Sequence, residues 1–217
     1  MGIKVSLSSM ATEVLAYART RLLRWRMAGL WVLLLVGLVT AGPVPSVDSF
    51  AGQAAFLALA TAVLRLWDDL ADLSHDRREH PGRVLVASAD LSAFVGLVAV
   101  GLLALALVLL DERQRLTTYG ALLVALGLLY HSPLATALPR GLRGYLVLSK
   151  YPVLLFLAGA EPSGRGWLAA LGLYAVLAVH EWRDDRALRA APFQVALGSA
   201  TAVALISLLF LTGGGPT

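Results

Sequence analysis

Asp68, Asp69, Asp72 and Asp76 crowd the stretch Trp67–Pro81, directly after the apolar run Phe50–Leu66. If one helix continues through them, Asp69, Asp72 and Asp76 stand at i, i+3 and i+7 and share a face, with Asp68 at its edge four residues before Asp72. Acidic side chains at membrane depth cost about 2.5 kcal/mol or more each and usually mark function. Like charges this close also repel. A divalent cation relieves both costs, and clustered carboxylate oxygens suit Mg²⁺. A second acidic group, Glu181, Asp184 and Asp185 at i, i+3 and i+4, closes another apolar run. The two endings echo each other: Leu64-Arg65-Leu66-Trp67-Asp68-Asp69 and His180-Glu181-Trp182-Arg183-Asp184-Asp185 both finish in tryptophan and paired aspartates.

The elements that must position these acids are apolar helices. The 217 residues are 58% hydrophobic and 15% charged, with a mean hydropathy of +0.74, which excludes an ordinary soluble domain and reads as an all-α, polytopic membrane bundle. At about 20 residues per span the chain holds about seven, near 28–44, 50–69, 90–110, 116–131, 142–160, 166–182 and 192–212. One transmembrane domain over 1–217 is expected. Residues 1–26 carry Lys4, Arg19, Arg21, Arg24 and Arg26 among Met10, Val14, Leu15, Ala18 and Leu22 at helical spacing, the pattern of an amphipathic leader on the membrane surface or of a plain cytoplasmic extension. The leader is long and basic and lacks a small-residue cleavage site, so the first span is expected to be retained.

Lys and Arg set the orientation. With seven spans the leader, Arg77, Arg78, Arg83, Arg140, Arg143, Arg183, Arg186 and Arg189 fall on one side, and only Arg113, Arg115 and Arg165 on the other. That places the N-terminus and both acidic groups on the cytoplasmic side of an integral membrane protein, with a prokaryotic plasma membrane expected. It also accounts for the net charge of +4 without a nucleic-acid partner. There is no cysteine, hence no disulfide, thiol nucleophile or cysteine metal site. His75, His80, His131 and His180 lack zinc-ligand spacing.

The run Asp68-Asp69-x-x-Asp72-x-x-x-Asp76 resembles the first aspartate-rich motif of the UbiA superfamily of intramembrane prenyltransferases, usually Asn-Asp-x-x-Asp-x-x-x-Asp, with Asp68 in place of the Asn. Arg78, His80-Pro81 and Arg83 are similar to that family's connecting loop. Its second motif, usually Asp-x-x-x-Asp at the end of the sixth helix, corresponds to Glu181 with Asp184 or Asp185, and the third acid of the longer form is missing. The resemblance runs helix by helix through the seventh span, and the family's last two helices have no counterpart. This implies a wider lateral opening, a homo-oligomer, or lipid in the cavity wall.

What the resemblance implies is a Mg²⁺-dependent enzyme that transfers a prenyl group from an isoprenyl diphosphate to an apolar or aromatic acceptor. Asp68, Asp69, Asp72, Asp76, Glu181, Asp184 and Asp185 would hold metal, with Asp72 and Asp184 central to catalysis. Metal charge would stabilise the departing diphosphate as an allylic cation develops, and the apolar helices would keep water from it. Lys150 lies inside the fifth span, where a lysine faces a polar cavity or snorkels to the interface; the family's lysine there binds diphosphate. Arg143, beside Arg140, is a further phosphate ligand or a positive-inside anchor. Tyr130 and Ser132, in Tyr130-His131-Ser132-Pro133, match a substrate-contacting stretch after the fourth helix. Arg65, one turn before Asp69 and three residues before Asp68, reads as their structural partner or as a diphosphate ligand. Two rival readings stand beside the transferase: a membrane terpene cyclase, which ionises the same diphosphate without an external acceptor, and a non-enzymatic transporter or scaffold. The last would carry polar residues through its spans, and apart from Arg65 and Lys150 the span interiors lack charge.

Overall fold

Pro43 and Pro45 end one apolar helix and Ser46 starts the next. The Ser46 hydroxyl accepts a hydrogen bond from the Ser49 N–H (3.3 Å), its carbonyl accepts from the Phe50 N–H (2.8 Å), and Asp48 sits in the first turn, a complete helix N-terminal signal. From there the chain runs unbroken through Val47–Ala71, 25 residues. The computed structural model describes residues 7–43, 45–133, 137–184, 189 and 192–211. Among them there is no strand, and the all-α expectation holds.

In chain order the helices are α1 (Leu7–Tyr17), continued by a π-helical turn (Ala18–Leu22), α2 (Trp25–Thr40), α3 (Val47–Ala71), α4 (Leu73–Glu79), α5 (Val84–Ala87), α6 (Ser92–Val108), α7 (Arg113–His131), α8 (Arg140–Leu148), α9 (Lys150–Leu157), α10 (Gly164–Asp184) and α11 (Pro192–Leu211). Each of the seven expected apolar stretches is helical. At about 1.5 Å per residue α3 is about 37 Å long, more than the roughly 30 Å of a hydrocarbon core. Of the described residues, α3 alone is long and apolar enough to cross a bilayer by itself; Met10–Leu22 and Trp25–Thr40 qualify as a pair bent by 65°, and α6 is apolar but shorter.

The chain divides into two units, Met1–Val32 with Ala58–Leu107, and Leu33–Leu57 with Val108–Thr217. In the first, the second half of α3 buries Ala60, Thr61, Val63, Leu64 and Leu66. Gly101 of α6 lets the two helices approach closely, because a Cβ there would stand 2.3 Å from the Val63 side chain. The leader helix α1 packs on α5, and its Tyr17 ring meets Phe94 of α6 edge-on, with centroids 5.8 Å apart.

The second unit is built around α9, whose eight residues Lys150 to Leu157 are all buried. It packs on α7 and α10, while α11 packs along α8. The fifth expected span, 142–160, is two helices. Pro152 has no N–H, and its ring collides with the carbonyl four residues back, so a helix cannot continue from Leu148 through it; Pro152 is tolerated in the first turn of α9, and the chain breaks at Ser149. The Ser149 hydroxyl donates to the Leu146 carbonyl (2.6 Å), closing the end of α8. Tyrosines pin α8 to α10: the Tyr145 hydroxyl donates to the Ala178 carbonyl (3.0 Å) and the Tyr174 hydroxyl to that of Tyr145 (3.1 Å). Gly159, at φ 118°, ends α9 with the Ala160 N–H on the Leu155 carbonyl (3.0 Å), a left-handed cap open to glycine.

Candidate functional site

The acidic end of α3 lies in the first unit. Asp72 is the residue between α3 and α4, at φ −88° and ψ 6°, outside helical geometry. Its N–H still donates to the Asp68 carbonyl (2.9 Å), and its own carbonyl accepts from both His75 and Asp76 (2.9 Å each). The chain therefore swings without losing its hydrogen bonds, and the swing sorts the aspartates. Asp69 and Asp76 turn inward, at 5% and 4% exposure; Asp72 is exposed and Asp68 half-buried. The single face expected of Asp69, Asp72 and Asp76 holds only if the helix is continuous, and it is not. The turn at Asp72 puts two of them inside and one out.

Both buried carboxylates are held by arginine. Asp69 accepts from four directions: the Tyr17 hydroxyl at Oδ2 (2.9 Å), Arg21 Nε at Oδ2 (2.8 Å), Arg21 Nη2 at Oδ1 (2.5 Å), and Arg65 Nη2, one turn back on α3, at 3.3 Å from Oδ1. The Arg21 contact is the parallel two-bond fork that guanidinium makes with carboxylate. Arg65 is thus the structural partner of Asp69 that its spacing suggested. Asp76 is paired with Arg83, from the loop entering α5. His75, between Asp72 and Asp76, has a buried Nδ1 with no hydrogen-bond partner among the described residues. Tyr17 and Arg21 are the part of this site that reading the sequence missed. Arg21 is one of several leader arginines, which positive-inside bias explains equally well, and nothing in the sequence around Tyr17 singles it out.

The leader itself is set against protein. Tyr17 is 3% exposed, and the Glu13 carboxylate accepts a hydrogen bond from the Ser88 hydroxyl (2.5 Å). Its arginine-bearing turn, expected at a lipid surface, presents Arg21 to Asp69.

In the second unit, Lys150 opens α9 at 1% exposure, with its Nζ 5.1 Å from the centre of the Tyr151 ring. That geometry is a cation–π contact inside an apolar helix. Arg143 is half-buried on α8. Tyr130 is half-buried and meets His131 edge-on (6.2 Å). The Ser132 hydroxyl donates to the Leu128 carbonyl (2.5 Å), so it closes the C-terminus of α7. Glu181 and Asp184 are exposed on the last turn of α10, and His180 Nε2 lies 3.9 Å from the Asp184 carboxylate. Asp185 lies outside the described residues.

Among the described residues, no three histidine, aspartate or glutamate side chains group closely enough to hold a metal ion by themselves. Mg²⁺ does not need three: it commonly binds through one or two carboxylates together with substrate phosphates and keeps waters for the rest. Of the aspartates that would have to meet that requirement, Asp68 is half-buried and Asp72 exposed. Asp69 and Asp76, with their oxygens committed to guanidinium, do not fit it as they stand. No family model, curated protein or solved structure matches the chain.

Proposed function

We propose that the chain is a UbiA-like, polytopic membrane prenyltransferase, with its N-terminus and acidic helix ends at the cytoplasmic face. It would transfer a prenyl group from an isoprenyl diphosphate to a lipophilic acceptor. The observation that carries this reading is the end of α3: a helix of membrane length ends in Asp68 and Asp69, Asp72 and Asp76 follow in the turn and in α4, and arginines from three different segments converge on two of the four. Acids and guanidinium groups mixed at the end of a long apolar helix match a ligand that combines phosphates, a metal and a hydrocarbon tail. Asp68 and Asp72 would hold Mg²⁺, and its charge, when bound, would neutralise the diphosphate as the C–O bond breaks.

The chain's own residues supply the rest. In this reading Arg65 and Arg83 hold Asp69 and Asp76 in place, fixing the direction in which α3 presents Asp72. In the second unit, the resemblance implies phosphate-ligand roles for Lys150 and Arg143 and a second acidic motif in Glu181, Asp184 and Asp185. The buried apolar side chains in the second half of α3 would keep water from the cation.

The test is release of diphosphate from radiolabelled geranyl, farnesyl and geranylgeranyl diphosphates with Mg²⁺ and candidate phenolic acceptors. Asp72→Ala and Asp184→Ala are each expected to lower the rate by at least about a hundredfold, the scale of losing one group aimed at developing transition-state charge. Release that stays Mg²⁺-dependent and unchanged in both variants would remove the assignment. Hydrocarbon products without acceptor would assign a cyclase instead, and metal-dependent binding without release a scaffold or carrier.

A further inference from the structure

We propose that a cavity in the second unit, between the start of α7 and the turn that follows α9, binds a phosphate ester carrying a primary ammonium group, the chemistry of an ethanolamine phosphate headgroup. It is a different place from the acidic end of α3, which lies in the first unit.

The cavity has a volume of about 320 Å³. Its buried part is apolar, formed by Phe156, Leu157 and Ala160, and the Phe156 ring is backed by Trp167 at 5.1 Å. Thr118, 3% exposed, sets a hydroxyl-bearing side chain in the same lining. Charge of both signs surrounds it: Glu112, Arg113 and Arg115 at the start of α7, and Glu161 in the turn after α9. An apolar pocket with a few convergent polar groups is the usual form of a small-ligand site. The walls are held in place. Arg115 Nη2 lies 3.6 Å from where a Gly159 Cβ would stand, so the guanidinium packs against the turn, and Glu161 is fixed by the close approach of its carbonyl to Gly166.

The four charges are not equivalent. Arg115 Nη1 is held by the Glu112 carboxylate at 2.8 Å, so these two neutralise each other in place. The remaining pair, the exposed Arg113 and Glu161, sets what the cavity takes. An anion alone would meet the Glu161 carboxylate, and a cation alone would meet the Arg113 guanidinium. A ligand with both charges meets each with its opposite. Guanidinium suits phosphate, and a carboxylate accepts the N–H bonds of a primary ammonium group. A trimethylammonium group has no N–H to give and is normally held by a cage of aromatic faces. Among the described lining residues Phe156 is the one aromatic ring, so choline is disfavoured. Two sources carry the favoured chemistry, a phospholipid and free phosphoethanolamine. In the seven-span reading Arg113 and Arg115 fall at the non-cytoplasmic ends of spans, at the level of lipid headgroups.

Equilibrium binding to the full chain in a non-ionic detergent tests this, with dihexanoyl phosphatidylethanolamine, phosphatidylcholine and phosphatidylglycerol, and with free O-phosphoethanolamine. The ethanolamine lipid is expected to bind saturably and at least about tenfold more tightly than the other two lipids, the low end for hydrogen bonds to a charged group. Arg113→Gln and Glu161→Gln are each expected to weaken it by at least about tenfold on the same ground. Both residues are exposed, so both variants are expected to fold. Free phosphoethanolamine binding as tightly as the lipid would support the site with a soluble ligand, and binding of the lipid alone would support it with the bilayer as the source. Equal affinity for the three lipids, no saturable binding of either ethanolamine probe, or an affinity unchanged in either variant would overturn the proposal. The measurement uses neither Mg²⁺ nor prenyl diphosphate, so its failure and that of the prenyltransferase reading are separate results.

Discussion

Asp69→Ala is expected to be among the most destabilising single substitutions in the chain, costing about 3 kcal/mol. Removing one partner of a buried ion pair generally costs about 3–5 kcal/mol, because the other charge is left without compensation. The low end applies here since Arg21 and Arg65 keep 20% and 34% of their side chains exposed and recover some hydration. The Tyr17 hydroxyl, buried against Phe94, loses its acceptor in the same step. Asp72→Ala, at the exposed turn between α3 and α4, is expected to cost less than about 1 kcal/mol, in keeping with surface substitutions. Denaturation of both variants in the same detergent checks the pair. Equal stabilities would mean that the guanidinium clasp on Asp69 contributes nothing to the fold. The contrast separates a buried aspartate held by arginine from an exposed one at a turn.

The second large effect belongs to Gly166. In the first turn of α10 the Glu161 carbonyl folds back so closely that an added Cβ would lie 1.9 Å from its oxygen and 3.4 Å from the Phe156 ring. The obstacle is backbone, so it cannot rotate aside. Gly166→Ala therefore forces the 158–164 turn to move, together with the Phe156–Trp167 contact (5.1 Å) that joins α9 to α10. A cost of about 3 kcal/mol, the upper end for overpacking, is expected. Gly172, two turns further along the same helix, is the control. It is exposed, nothing lies within 4 Å of its Cβ position, and alanine there should stabilise by about 0.5–1 kcal/mol through helix propensity alone. A melting temperature for Gly166→Ala matching that of the unsubstituted protein would contradict the close approach.

Much of the fold is legible in the residues because it rests on local rules. Apolar runs of helical length became helices. The break at Ser149 was legible too, since Pro152 forbids a continuous helix, but hydropathy summed over 142–160 hides it. The candidate site was legible as a place and not as an arrangement. Spacing between Asp68 and Asp76 locates the four aspartates but cannot say that the helix ends at Asp72. Nor can spacing say which carboxylates meet arginine. Arg65 is near in sequence and was found; Arg21 is 48 residues from Asp69 and reaches it only through the fold. A charge in a basic leader reads the same whether it faces phospholipid or an aspartate.

In the proposed reading the acidic end of α3 takes a prenyl diphosphate with Mg²⁺. Equilibrium binding of a non-hydrolysable prenyl diphosphate to the full chain, with and without Mg²⁺, tests it most directly. Saturable binding that requires Mg²⁺ and weakens at least about tenfold in Asp72→Ala, a loss of about 1.4 kcal/mol, is the predicted result. No binding, or binding indifferent to both Mg²⁺ and Asp72, would contradict it.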